Sequence, residues 1–286
     1  ALQNPYGVAA TMPDIVSLYG SYLAGLARGD LGNLPVGAQP PIAPFLVNAL
    51  GTSLGLMAVS FMISVALGVT LGLAAAQVDP PRLAPWLAPI TSVGLALPGF
   101  YIGTLAIVLT LWLVFQGITS PLPVSGFGWD LHIVLPALAL SLRPTAQIAA
   151  ITANLLVDEL KKQYVVTARS VGHTWSGVRW RHALPAALSG VVLTIASGFR
   201  LTLAELVLVE SLFVWPGVGR AVAQSLVAPS VFTPGGAHTE TYFLHPELLA
   251  AFVTLLTAAF FLTDVVASLA ARAADSRLRQ ADALTA

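Results

Sequence analysis

From Phe45 to Ala76 the chain carries no charged side chain. A helix needs about 20 mainly apolar residues to cross the hydrocarbon core of a bilayer, and this run exceeds that length. Comparable runs follow at Trp86 to Gln116, His132 to Val157, Ala187 to Leu212 and Glu247 to Ala271. None alternates as a barrel strand does, and in lipid a segment must satisfy its own backbone hydrogen bonds, so each is expected to be a helix. A mean hydropathy of +0.82, with 9% charged residues, excludes an average soluble domain. The expected fold is all-α, a polytopic transmembrane helical bundle with five spans visible. Windows longer than a simple span are expected to absorb the excess by tilting or by interfacial ends.

Proline and glycine punctuate the runs at Asp79-Pro80-Pro81, Gly117 to Pro123 and Ser230 to Gly236. Residues 1–44 hold Pro13, Pro35, Pro40, Pro41 and Pro44 and no spanning run. They are expected to form an N-terminal segment outside the cytoplasm, with a short helical piece at Asp14 to Ala27. Residues 45–286 form the transmembrane domain. Its loop at 158–186 carries Lys161, Lys162, Arg169, Arg179 and Arg181; Arg82 and the tail residues Arg272, Arg277 and Arg279 fall on the same side. The other side holds only Arg28 and Arg220, so the positive-inside rule places the basic loop and C-terminus in the cytoplasm and the 213–246 loop outside. Ala1 then lies outside as well. A further spanning helix before it is expected, giving six helices with both ends cytoplasmic.

The chain has no cysteine, which removes disulfides and thiolate chemistry. It has no Gly-x-x-x-x-Gly-Lys-Ser/Thr loop to cradle phosphates, so it is not expected to hydrolyse ATP, and no catalytic constellation is visible. His238, His245 and Glu240 share one loop, His173 and His182 another, and His132 sits at a helix end. These spacings fit no standard metal site, and no metal, no cofactor bound by this chain and no nucleic-acid partner is expected. The Gly51/Gly55, Gly68/Gly72 and Gly99/Gly103 pairs permit close helix packing.

The basic loop has its own local logic. Asp158 to Val171 can form a helix, Gly172 suits the left-handed position that ends one, and Thr174 can cap a second helix running toward Leu184. Within it, Thr167-Ala168-Arg169, Gly172 and Leu184-Pro185 have the spacing of the EAA loop of ABC importer permeases. The wider resemblance is to the dipeptide/oligopeptide/nickel permease family, of the subunit type with a long external segment after its first helix. It is carried in order by Arg28-Gly29-Asp30-Leu31-Gly32, Leu122-Pro123-Val124-Ser125-Gly126, Val134 to Leu140 and Glu210 to Gly219.

The resemblance implies the type I permease fold of ABC importers and a role as half of a translocation path for peptides. It also implies a second related permease, two ATPase subunits that hold ATP and Mg, an extracytoplasmic solute-binding protein and a lipid environment. Tyr164, Thr167, Ala168, Arg169, Gly172, His173, Leu184 and Pro185 would form the ATPase-coupling loop. Thr167 stands where the wider motif has glutamate, the 228–245 connection is long for the family, and Asp275-Ser276-Arg277 replaces Asp-Pro-Arg. The same resemblance leaves nickel or another small solute open as cargo.

Ionisable groups inside spans are costly and mark function or pairing. Arg143, Arg200, Glu205, Glu210 and Asp264 are the candidates, either facing a path for charged cargo or forming internal pairs such as Arg143 with Glu205 or Glu210. Phe213, Trp215, Pro216, Gly217 and Gly219 suit a membrane-interface turn; the resemblance makes them an external gate or docking element. An ion-gradient-driven carrier, with the intramembrane carboxylates as coupling sites, and a non-transporting scaffold are the readings of other classes.

Overall fold

The computed structural model describes residues 20, 22–25, 28–33, 41–118, 122–226 and 246–274. The Asp14 to Ala27 piece lies mostly outside these residues. His238, Glu240, His245, the rest of 228–245 and Asp275-Ser276-Arg277 lie wholly outside them.

The first long helix, α1 (Ile42–Ala75), begins after Pro41 in extended conformation and carries the charge-free run. Its hydroxyls fold back onto their own backbone: Ser60 donates to the Leu56 carbonyl at 2.7 Å and Thr70 to the Ala66 carbonyl at 2.7 Å. A short polar side chain can thus enter an apolar setting with its proton already committed. Where α1 ends, Asp79-Pro80 makes the turn of a small antiparallel hairpin, β1 (Ala76–Val78) and β2 (Pro81–Leu83), with Gln77 opposite Arg82. The Asp79-Pro80-Pro81 break is therefore a folded turn and not an open connection.

The Trp86 to Gln116 run is not one helix. It divides into α2 (Leu87–Ala96) and α3 (Gly99–Phe115), bent by 94°. Proline restricts the residue before it to extended backbone, and Leu97 (ψ 120°) obeys; Pro98 is itself extended (ψ 146°), and the helical path cannot continue through the pair.

After a 3-10 turn at Leu131–Ile133, α4 (Val134–Leu160) runs through the middle of the bundle against α1, α2, α3 and α7. Gly68 and Gly72 of α1 face Ile148 and Thr152 of α4 so closely that an added Cβ would fall 2.7 Å from each side chain. The small-residue spacing is therefore a packing device, as its chemistry suggests. The Asp158 to Val171 segment also departs from expectation. α4 stops at Leu160, Lys162 turns extended, and α5 (Gln163–Ser170) starts afresh. The reversal lets Val165 fold back onto Leu156, Val157 and Leu160 in a buried cluster, which a continuous helix would carry into solvent.

A short helix, α6 (Trp175–Val178), passes through a π-helical turn at Arg179–Ala183 into α7 (Leu184–Leu212), so the second half of the loop is the first part of a span. The π turn accommodates Pro185, which has no N–H to donate to the preceding turn. Then follow α8 (Val218–Leu226), an amphipathic helix within the segment expected to be the 213–246 loop, and α9 (Pro246–Ala274). Among the described residues four helical stretches are long and apolar enough to cross a membrane, and the bent α2–α3 pair makes a fifth.

Candidate functional site

The basic loop is a small folded unit. α5 closes with the two backbone bonds of a Schellman ending: the His173 N–H donates to the Ala168 carbonyl at 3.1 Å and the Gly172 N–H to the Arg169 carbonyl at 3.0 Å. Gly172 takes φ +101°, which a side chain resists, and no neighbouring atom would obstruct a Cβ there, so the glycine is required by backbone alone. Thr174 accepts the Gly177 N–H at 3.1 Å and caps α6. Arg169 bridges the turn, donating to the His173 carbonyl at 2.6 Å with its guanidinium 4.7 Å from the Trp175 ring.

Anchors tie this unit to the bundle. The Trp175 indole N–H donates to Asp79 Oδ2 of the hairpin at 2.9 Å, and Arg179 donates to the Leu73 carbonyl of α1. Val165, Val178 and Ala183 are buried, with Ala168 and Leu184 packed beside them. The outward residues of α5 and its closing turn include Tyr164, Val166, Thr167, Arg169, Ser170, Val171, Gly172 and His173. The Tyr164 hydroxyl donates to Glu159 Oε2 at 2.9 Å, and Lys162 pairs with the same carboxylate. Pro185 is exposed at the start of α7. The Trp175–Asp79 bond also brings the hairpin that carries Arg82 and the basic loop to one end of the bundle.

Each glutamate of α7 caps a helix that another element presents to it. Glu205 Oε2 accepts the Gly99 N–H, the first of α3, at 3.0 Å, while its Oε1 accepts from Arg143 Nη1 at 3.1 Å. An Ala at 99 would place Cβ 2.3 Å from that carboxylate oxygen, so only glycine permits the approach. Glu210, fully buried, does the same for α8. Its Oε2 accepts from Gly219 N–H at 2.7 Å and Arg220 N–H at 3.2 Å, and its Oε1 accepts from Ser53 Oγ at 2.6 Å. Ser53 Oγ in turn accepts the Val218 N–H at 2.8 Å. Free N–H groups and the positive helix end favour a carboxylate at both places.

The rest of the Glu210–Gly219 motif serves this second cap. The Trp215 N–H donates to the Glu210 carbonyl at 2.8 Å and its indole N–H to the Thr52 carbonyl at 3.2 Å. Trp215 and Phe213 are buried, and Phe127 and Trp129 stand edge-on to Trp215 at ring distances of 4.9 and 5.6 Å. Cβ atoms at Gly217 or Gly219 would collide with Glu210, and at Gly219 also with the Val207 backbone at 2.7 Å. Phe213 and Trp215 therefore lie inside the fold, not on an interfacial or docking surface; Pro216 offers its carbonyl to the Thr52 hydroxyl at 2.7 Å. Of the two pairings open to Arg143, the fold forms the one with Glu205 and not that with Glu210, and Arg200 pairs with Asp264 of α9.

Residues 68–280 match the family described as "Binding-protein-dependent transport system inner membrane component". The chain belongs to this family. It is a permease subunit of an ABC importer and a multi-pass membrane protein. Curated relatives include a putative peptide transport system permease protein of Brucella abortus, 29% identical over 76% of this chain and 69% of its own length. The oligopeptide transport system permease protein OppB of Escherichia coli is 30% identical over 72% of this chain and 66% of its own length. Among solved structures, an inward-facing form of the MetNI methionine ABC transporter superposes with a TM-score of 0.61 at 16% identity, covering 82% of this chain and 98% of that one. An amino acid ABC transporter superposes at 0.57 with 15% identity, covering 92% and 99%. These likenesses establish the type I permease fold.

Sequence reasoning about this permease missed Asp79 and Arg179 as anchors of the basic loop, and Val166 and Val171 as its exposed apolar tips, 56% and 75% accessible. The apolar tips had a signal: valines that break the polarity of a solvated loop. The anchors had none, because Asp79 and Trp175 are brought together only by the fold. Among the described residues no group of three or more His, Asp or Glu side chains is arranged to hold a metal ion.

Proposed function

We propose that this permease forms half of an ATP-driven translocation path for peptides, delivered by an extracytoplasmic solute-binding protein. The names of its curated relatives, peptide and oligopeptide transport permeases, support the cargo class. The observation that carries the mechanism is the basic loop: a rigid, Schellman-closed protrusion whose second helix is continuous with the spanning helix α7. Exposed Val166 and Val171 with Arg169 give it a surface suited to a groove on an ATPase subunit.

In this reading two ATPase subunits bind ATP and Mg and close on hydrolysable nucleotide. A second related permease completes the pore. Closure moves the protrusion as a rigid body, and because α6 passes into α7 without a loop, the displacement reaches Glu205 and Glu210 and hence the helices they cap. Alternating access follows from that rotation. The Lys and Arg distribution supports a cytoplasmic basic loop and C-terminus in this reading.

Co-purification of the intact permease from its own membranes tests this. Recovery of ATPase subunits and a second permease, with selective loss of the ATPases from Gly172→Pro, is the expected result. An active preparation without any ATPase would overturn it.

A further inference from the structure

The charges inside the spans are not spread round the bundle. α1, α2 and α3 contain no Asp, Glu, Lys or Arg and present Met62, Val108, Leu109 and Trp112 outward, as a lipid-facing surface should. Arg143, Arg200, Glu205, Glu210 and Asp264 all lie on α4, α7 and α9. The glutamates turn inward as caps. The other side chains stay open, Arg143 at 37%, Arg200 at 44% and Asp264 at 55% exposure.

They share one face. Along α7 the outward positions are Leu193, Arg200, Ala204 and Leu208, with Ser197 half-buried among them. Their spacing of three and four residues makes a single strip. At one edge of the strip Ser197 accepts a hydrogen bond from Gln147 Nε2 of α4 at 2.9 Å; at the other Arg200 pairs with Asp264 of α9. A polar band thus crosses the strip from α4 to α9. Gln147 Oε1 is buried with no hydrogen-bond partner among the described residues. Leaving such an oxygen dry is unfavourable, and a water reaching the α4–α7 seam would satisfy it. On the far flank, by contrast, the groove of about 570 Å³ between α1, α7 and α9 is lined by apolar side chains such as Leu54, Phe61, Ile195, Phe199 and Leu262, with Thr263 the one polar residue among them.

Open charges and an unmet amide at mid-span are costly against lipid. We infer that the α4–α7–α9 face borders the water-filled path, with Gln147, Ser197, Arg200 and Asp264 in its wall. The inference deepens the transport reading above and rests on it. Opposite charges side by side suit a zwitterionic cargo, whose ammonium and carboxylate each find a partner while neither is held by an uncompensated charge.

The chain has no cysteine, so single cysteines report on it without background. In vesicles holding the assembled transporter, Ser197→Cys and Ala204→Cys are expected to react with a charged, membrane-impermeant methanethiosulfonate at least about tenfold faster than Leu109→Cys on α3, because lipid excludes the reagent. Strip cysteines no faster than Leu109→Cys would overturn the inference. ATP-dependent peptide uptake by the same vesicles is read separately. Its persistence with unreactive strip cysteines would leave the transport reading standing, and its absence from the unsubstituted permease would sink that reading whatever the labelling shows.

Discussion

The carboxylate of Glu205 holds the backbone amide of Gly99 at 3.0 Å and thereby fixes the corner at which α2 turns into α3. Arg143 supplies the countercharge on the other oxygen. The bent pair is thus held from α7, the helix that continues from the basic loop.

Glu205→Ala is expected to destabilise the purified complex by about 1–3 kcal/mol, because the buried Gly99 N–H loses its acceptor. Glu205→Gln, which keeps an acceptor for Gly99, should cost less. Thermal unfolding in detergent distinguishes them, and equal melting temperatures for the two variants would contradict the cap.

Gly219→Ala is expected to disrupt assembly more than its size suggests, since the added Cβ would meet backbone atoms of Val207 at 2.7–2.9 Å as well as Glu210 Oε2. Backbone cannot swing aside as a side chain can. Membrane yield and melting temperature should both fall; an unchanged melting temperature would argue against the close approach.

Val214 adopts φ +59°, a conformation costly for a β-branched residue. Val214→Asn is expected to raise stability by roughly 1 kcal/mol, since asparagine tolerates the left-handed region. The melting temperature of the complex checks this, and a decrease would contradict it.

The Asp130 carboxyl is held below its ordinary value chiefly by its hydrogen bond with the His132 ring, at 2.6 Å, and next by the His132 N–H. A lowered folded pKa means that the stabilisation is complete above the ordinary carboxylate value of 3.8 and is lost as pH falls through the depressed one. Protection of the Leu131–Ile133 amides, taken relative to their intrinsic exchange rate at each pH, should fall in that acid window, and Asp130→Asn should abolish this acid dependence.

Much of this architecture was legible because lipid allows few solutions. Long apolar runs with few or no charges marked the spans, and Gly172 and Thr174 announced the ending and restart in the basic loop through local chemistry alone. The bend at Leu97-Pro98 was equally local, yet a hydropathy window averages across it. The break at Lys161-Lys162 was hidden because its cause is tertiary: Val165 must reach Leu160. The pairings of the intramembrane charges were also beyond reach. Arg143 with Glu205 stood among several options, whereas Arg200 with Asp264 depends on how α9 lies against α7.

Coupling through the basic loop is tested most directly by ATP-dependent uptake of a labelled tripeptide in vesicles holding the complete transporter, with Gly172→Ala beside the unsubstituted permease. Gly172 has open space around it, so the alanine disturbs the φ +101° turn and nothing else. The expected result is uptake reduced by about tenfold or more, for a backbone penalty of 1–2 kcal/mol at the joint, with unchanged membrane assembly and continuing ATP hydrolysis. Uptake equal to that of the unsubstituted permease would contradict the transmission of ATPase closure through this turn.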